Sequence, residues 1–475
     1  MATFANFIGR RKEMAAIQQE LDRQRPSLLV VYGRRRVGKS TLLTRATRDR
    51  PTIYYQATEV VGSMNLDLLR NQIADFVGER DPLLEGIVQW EALLSYVISL
   101  PEGRSDPLTL VLDEFPYICE TVEALPSIMQ KIFDAAVADD IPLNLVLCGS
   151  QIAFMEELLG EKNPLRGRQT LELNLEPMPY RDAADFFPDW SPVEKLSAYG
   201  VFGGMPYYLQ LCDPEQSFRQ NILDVVLDPG APLSNEAFNV LQAELSSPTR
   251  YATILQAIAS GCTTTGDILG RTREISDGRS LAPYIRKLEA LRLIRITRSL
   301  DAAPKARNRR YYLADPFLAF WFRFCTPNSS AIATGHGEEL YRDVIRAQFS
   351  DYMGEIFEWI GRQYVSHYAS QQLSTAPGEI GKIWGSDCDI DVAATLLDGS
   401  VLFGECKWWR RKVGENILDE LKEDAAKTDY GDDADTVHWM LISKSGFTAE
   451  LRQCASHTDT LHLVTPLELM ASSPG

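Results

Sequence analysis

No apolar run in this 475-residue sequence approaches the roughly 20 residues that span a bilayer, so a membrane-spanning helix is not expected. Met1 to Gly9 lacks the basic and apolar regions of a secretory leader, and the expected location is the cytosol. The eight cysteines are scattered, and none forms a C-x-x-C pair. That spacing indicates neither a zinc site nor a disulfide framework, and reduced, buried thiols are the simplest account. Positive charge is in deficit, with 48 Lys+Arg against 65 Asp+Glu and a net charge of −17. Such a balance argues against indiscriminate binding of nucleic acid. The 45% hydrophobic and 24% charged residues are those of ordinary globular protein, and the length allows about three domains.

The deficit is uneven. Ser246 to Phe324 holds 14 Lys+Arg against 6 Asp+Glu, whereas Leu340 to Gly475 holds 12 against 22. A basic middle segment in an acidic chain is a local binding signal.

Residues 33–41 read GRRRVGKST. Gly33, Gly38, Lys39 and Ser40 fit G-x-x-x-x-G-K-[S/T], the phosphate-binding loop of nucleotide triphosphatases. Leu28 to Tyr32 before it reads as a buried strand, and Thr41 to Ala46 after it can open a helix. The glycines let backbone N–H groups turn toward one point, and the helix end adds positive partial charge. Lys39 would reach the β- and γ-phosphates of ATP, with Thr41 beside it, and the Ser40 hydroxyl would ligate Mg²⁺.

Apolar runs then alternate with helical patterns, which indicates a parallel α/β sheet. Leu108 to Leu112 runs into Asp113-Glu114, and Leu143 to Leu147 runs into Cys148-Gly149-Ser150. Chemistry in such sheets sits at the carboxyl ends of strands. An apolar strand followed by Asp-Glu is the Walker B arrangement. Asp113 would hold Mg²⁺, Glu114 would act as general base toward the attacking water, and Ser150 could sense the γ-phosphate.

Phe7-Ile8-Gly9-Arg10, GRRRVGKST, LVLDEF, LCGS and Gly203-Gly204-Met205-Pro206-Tyr207 stand in the order seen in archaeal-type ATPases of the STAND class of AAA+ P-loop proteins, and the chain resembles that family over nearly its whole length. The resemblance implies that Phe7 to Glu13 packs near adenine and that about 178–235 forms a helical lid. It also makes Arg168, in Pro164-Leu165-Arg166-Gly167-Arg168, a candidate γ-phosphate or trans-acting arginine, the alternative being a surface arginine.

From Pro248 onward three helical patterns precede two short strands, Leu293 to Thr297 and Arg309 to Leu313, the order of a winged helix-turn-helix. The third helix is expected from about Ser280, with Pro283 in its first turn. Arg279, Arg286 and Lys287 fall on or beside the recognition helix, and Lys305, Arg307, Arg309 and Arg310 on the wing. These would contact DNA phosphates. The alternative is a lever between the ATPase and an effector.

The last segment places Glu358 on a helix, Asp391 on a strand, and Glu405 with Lys407 on the next strand after an Asp398-Gly399 turn. This resembles the PD-(D/E)xK nuclease core. The resemblance implies that Asp391 and Glu405 bind Mg²⁺ or Mn²⁺, that Lys407 positions water, and that Glu358 adds a carboxylate. Hydrolysis of a phosphodiester suits that set, because a divalent metal neutralises phosphate and lowers the pKa of water. Glu420-Leu421-Lys422 repeats the E-x-K spacing in a helical pattern where no site is expected. Trp408 and Trp409 could stack bases or pack a core.

The expected architecture is α/β throughout. A P-loop ATPase core spans 1–177, a helical lid 178–240, a winged helix 241–330 and a nuclease-like α/β domain 340–475. The expected function is ATP hydrolysis that gates metal-dependent cleavage of DNA, the alternative being an ATP-dependent DNA-binding or signalling regulator with an inert nuclease fold. The partners expected are ATP and DNA, with a homo-oligomer as the further candidate assembly.

Overall fold

The computed structural model describes residues 7–78, 81–101, 106–272, 274–275, 277–303 and 308–471. It divides into two compact units, Met1–Pro177 with Met205–Tyr207, and Met178–Gly204 with Tyr208–Gly475.

The first unit is built on a fully parallel sheet of β1 (Ser27–Tyr32), β2 (Thr52–Gln56), β3 (Leu108–Asp113), β4 (Leu143–Gly149) and β5 (Leu171–Asn174), in the order β2-β3-β4-β1-β5. β1, β3 and β4 are buried at every position. Their near-continuous apolar sequences reflect cover on both faces. Leu69 and Ile73 of helix Gly62–Val77, Leu93 of Trp90–Ser99 and Met129 of Leu125–Ala138 share one core with the sheet. Because β1 lies beside β4 and β4 beside β3, the carboxyl ends of all three open on one crevice.

The second unit begins with short helices, among them Pro192–Phe202, whose Ser191–Glu194 capping box secures its start. Helices Pro248–Ala259, Thr265–Arg271 and Gly278–Ala290 follow, then the antiparallel pair β6 (Ile294–Arg298) and β7 (Arg309–Leu313). Ile254, Ile268, Leu281, Ile285 and Leu288 are buried, as the 3.6-residue spacing requires. One expectation needs correction. The third of these helices starts at Gly278, because the Asp277 side chain caps Ser280 N, and Pro283 therefore lies in its interior, past the first turn.

A long helix, Arg346–His367, then packs on a mixed sheet of β8 (Pro377–Trp384), β9 (Asp389–Leu396), β10 (Val401–Lys407), β11 (Val437–Ser443) and β12 (Leu461–Val464), in the order β12-β11-β10-β9-β8. β8 to β10 are antiparallel neighbours, and β10 to β12 are parallel. The helix meets the sheet closely at Gly361, where a Cβ would lie 2.6 Å from Cys406 Sγ. That approach sets Glu358, one turn earlier, over β9 and β10. The decoy Glu420 and Lys422 lie on helix Glu415–Ala425. Among the described residues no helix is long and apolar enough to cross a membrane.

Candidate functional site

β1 ends at Tyr32, the loop curls over Gly33 to Gly38, and helix Lys39–Ala46 begins at once. Gly33 has φ 152° and Gly38 has φ 93°, conformations that side chains rarely adopt. At Gly33 space forbids a side chain as well, since a Cβ would stand 2.2 Å from Leu175 O. Lys39 is buried and folds back into the loop, donating to Gly33 O at 2.9 Å, Arg34 O at 3.2 Å and Ser150 Oγ at 2.9 Å. Burial pushes its pKa down, while Cys148, Glu114 and Asp113 push the other way. A buried ammonium held by neutral oxygens, with its charge disfavoured, suits an arriving polyphosphate.

Asp113, at the end of β3, is fully buried, and both of its carboxylate oxygens accept hydrogen bonds. Its Oδ2 accepts from Ser40 Oγ at 2.6 Å and Tyr54 OH at 2.8 Å, and its Oδ1 accepts from Glu114 N at 3.0 Å. Tyr54 was not legible as a site residue. It sits on β2, next to β3 in the sheet, and that pairing alone brings it to Asp113. Burial, with Asp113 adding to it, pushes its phenol far up, so it remains a donor. The Ser40 and Asp113 oxygens are hard donors of the kind Mg²⁺ takes. Thr41 is exposed at the same helix end.

Glu114 holds φ 53° at the turn after β3. Its carboxylate accepts from Ser150 N at 3.1 Å and Ser150 Oγ at 2.6 Å. Lys39, Ser150 and Glu114 therefore form one hydrogen-bonded chain across the ends of β1, β4 and β3. Pro206 would be 3.6 Å from a Cβ at Gly38, and Arg36 lies 4.5 Å over the Tyr207 ring, so Met205–Tyr207 lies against the loop. Arg10, in the segment expected near adenine, is buried and donates to Val37 O at 3.2 Å and to Glu176 O. Arg168 does not join this constellation. It pairs with Asp134 at 2.7 and 2.9 Å and donates to Pro164 O.

In the second unit, Glu358, Asp391, Glu405 and Lys407 line one cavity of about 380 Å³. A residue absent from the sequence reading sits among them. Lys382 Nζ, from β8, lies 2.9 Å from Glu358 Oε2, 3.2 Å from Asp391 Oδ1 and 3.1 Å from Asp389 Oδ1. Asp391 Oδ2 accepts from Cys406 N at 3.0 Å, and Lys407 is paired with Glu405. Burial, followed by the neighbouring Asp391, raises the pKa of Glu358 to about 7 and of Glu405 to about 8. Burial lowers the Lys382 pKa, but Glu358, Asp391 and Asp389 together raise it further. Lys382 and Lys407 thus pair with the carboxylates expected to hold a metal. Among the described residues no group of three or more His, Cys, Asp or Glu side chains is placed to hold a metal ion.

Trp408 is buried edge-on against Phe357 at 4.9 Å, a core position, while Trp409 is half-buried with Arg411 4.4 Å over its ring. Arg279, Arg286, Lys287 and Arg309 are exposed. Arg310 is half-buried with its guanidinium 4.7 Å over Trp384, so stacking engages it within its own unit. Lys305 and Arg307 lie outside the described residues.

Comparison with known proteins gives matches to both halves of the chain. Residues 7–212 match the model of an ATPase domain predominantly from Archaea. Residues 321–420 match a family of archaeal and bacterial proteins of unknown function. An uncharacterized protein of Methanocaldococcus jannaschii is 29% identical over 411 residues, 85% of this chain and 87% of that protein. The Walker-type ATPase of Pyrococcus abyssi superposes with a TM-score of 0.52 at 19% identity, over 67% of this chain and 97% of that one, a likeness of fold. The ORC2 protein of Aeropyrum pernix in ADPNP–ADP complexes gives 0.46 at 16% identity, over 73% and 97%.

Proposed function

We propose, for a chain whose residues 7–212 belong to the family of ATPase domains found predominantly in Archaea, that it binds and hydrolyses ATP and that the bound nucleotide controls the output of its C-terminal domain. The carrying observation is the chain from Lys39 through Ser150 to Glu114, which joins a phosphate-binding cation, a hydroxyl and a carboxylate at the ends of three neighbouring strands.

The roles follow from position. The loop N–H groups and Lys39 bind the β- and γ-phosphates. Ser40 and Asp113 would hold Mg²⁺, which when bound supplies positive charge to the phosphate oxygens. Glu114 accepts a proton from the attacking water as the new P–O bond forms and the bond to the β,γ-bridging oxygen breaks. Ser150 holds that carboxylate in place and, through Lys39, is linked to the phosphates. Tyr54 and Ser40 fix the orientation of Asp113.

For the C-terminal domain, the position of Lys382 favours output by binding over output by cleavage. Its ammonium satisfies Glu358 and Asp391 in the way a cation would. In this reading the protein is an ATP-dependent regulator, with DNA as the expected target through Arg279, Arg286, Lys287 and Arg309. The test is binding and cleavage of labelled single- and double-stranded DNA by the full chain, with ATP, with ADP and with neither, in Mg²⁺ and in Mn²⁺. ATP-sensitive binding that vanishes in Lys39→Ala, without cutting, supports the regulator. Cutting that vanishes in Lys407→Ala restores the gated nuclease. DNA binding indifferent to nucleotide removes the control.

A further inference from the structure

A second cleft in the C-terminal unit, of about 760 Å³, lies between β6 with the loop after it, β8 and helix Arg346–His367. Its charged lining is Arg295, Arg298, Arg362 and Lys382 against Glu379. Arg295 and Arg298 come from the basic segment Ser246 to Phe324, and Arg362 and Lys382 from the acidic segment Leu340 to Gly475.

Three of these cations, Arg298, Arg362 and Lys382, are already engaged. Lys382 meets Glu358, Asp389 and Asp391, and Arg362 donates to Asp391 O at 2.6 Å. Arg295 differs. Its guanidinium lies 4.3 Å over Trp359 and 5.2 Å over Tyr312, and its buried Nε has no hydrogen-bond partner. Burial first, and then the like charge of Arg362, push its pKa down to about 10. The ring faces compensate a cation only in part, and a buried donor without an acceptor is costly. An anion between Arg295 and Arg362 would offset the repulsion between the two guanidinium groups.

We propose that this cleft binds a nucleotide-sized, phosphate-bearing anion. Guanidinium groups match phosphate oxygens in charge and in the geometry of their paired N–H donors. The volume falls in the range of about 300–1,000 Å³ common for small-ligand sites and exceeds what a lone phosphate needs. Two sources share this chemistry, a free nucleotide and the terminal phosphate of a nucleic-acid strand. The inference does not rest on ATP hydrolysis. The cleft is separate from the Lys39 loop and is formed by residues of the second unit.

The test is calorimetric titration of the full chain carrying Lys39→Ala, which removes competition from the loop. The probes are AMP and 5′-phosphorylated tetrathymidylate. Arg295→Gln should weaken binding about tenfold, the loss of one charge-assisted hydrogen bond, and Arg298→Gln by about threefold. Arg298 is exposed, so its variant decides the matter if Arg295→Gln fails to fold. Binding of AMP identifies a free nucleotide, and binding of the tetranucleotide alone identifies a strand end. Either supports the cleft when the arginine variants weaken it. Binding of neither probe, or binding unchanged by the variants, overturns the proposal.

Discussion

Ser150 Oγ lies 2.6 Å from Glu114 Oε1, and Ser150 N lies 3.1 Å from the other oxygen of the same carboxylate. The end of β4 thereby fixes the side chain that follows β3. An amide oxygen at residue 114 can still accept from one of these donors, so Glu114→Gln should keep the geometry and lose the base. Steady-state turnover of ATP should fall by about 10²–10⁴-fold, with the affinity for ATP retained. Turnover at the wild-type rate would remove Glu114 from the role of base.

Tyr54 is argued to act through Asp113, not on the nucleotide itself. Tyr54→Phe deletes the hydroxyl at 2.8 Å and leaves the ring. Loss of a hydrogen bond to a charged group costs about 1.5–3 kcal/mol. Turnover should drop roughly tenfold, and the Mg²⁺ concentration for half-maximal turnover should rise, because Asp113 is less well oriented. An unchanged Mg²⁺ dependence would make Tyr54 merely structural.

Gly33→Ala places a Cβ 2.2 Å from Leu175 O at a residue of φ 152°. Backbone cannot yield there without moving the loop or Leu175. The expected outcome is destabilisation of about 1–3 kcal/mol in urea unfolding, together with loss of ATP binding. Gly78→Ala, at a position where a Cβ meets nothing within 4 Å, serves as the control for a positive-φ glycine away from the loop.

His438 Nδ1 and His462 Nε2 are 3.0 Å apart on β11 and β12. Burial, then the neighbouring His438, push His462 from 6.5 down to about 4. Between those values the unfolded chain binds more protons than the folded one, so stability falls as pH drops from 6.5 toward 4. The loss is on the order of 1–2 kcal/mol after allowance for solvent screening. Comparing urea midpoints of wild type and His462→Gln across that window isolates it. Parallel curves would remove the pair as its source.

What was legible in the sequence was local. The loop at Gly33 to Thr41, the acids at Asp113-Glu114 and Ser150 each follow a contiguous apolar strand, and parallel packing brings such strand ends together. The turn at Asp398-Gly399 likewise announced the β9–β10 hairpin. What was not legible depends on pairs distant in sequence. Tyr54 meets Asp113 through sheet order, Lys382 reaches Glu358 and Asp391 through the pairing of β8 with β9, and Arg295 finds Trp359 through packing of β6 on a helix. No spacing rule encodes these contacts. Arg168 pairs with Asp134, 34 residues away, a contact that its own loop does not announce. Pro283 moved inside its helix because Asp277 caps earlier than the apolar pattern begins.

Lys39 ties the loop to Ser150 and is the cation proposed to meet the phosphates. The decisive measurement is phosphate release from ATP in Mg²⁺ by the full chain, wild type beside Lys39→Ala. The expected result is turnover by the wild type and its loss, together with ATP binding, in the variant. Turnover that survives Lys39→Ala, or a wild type that binds no ATP, would contradict it.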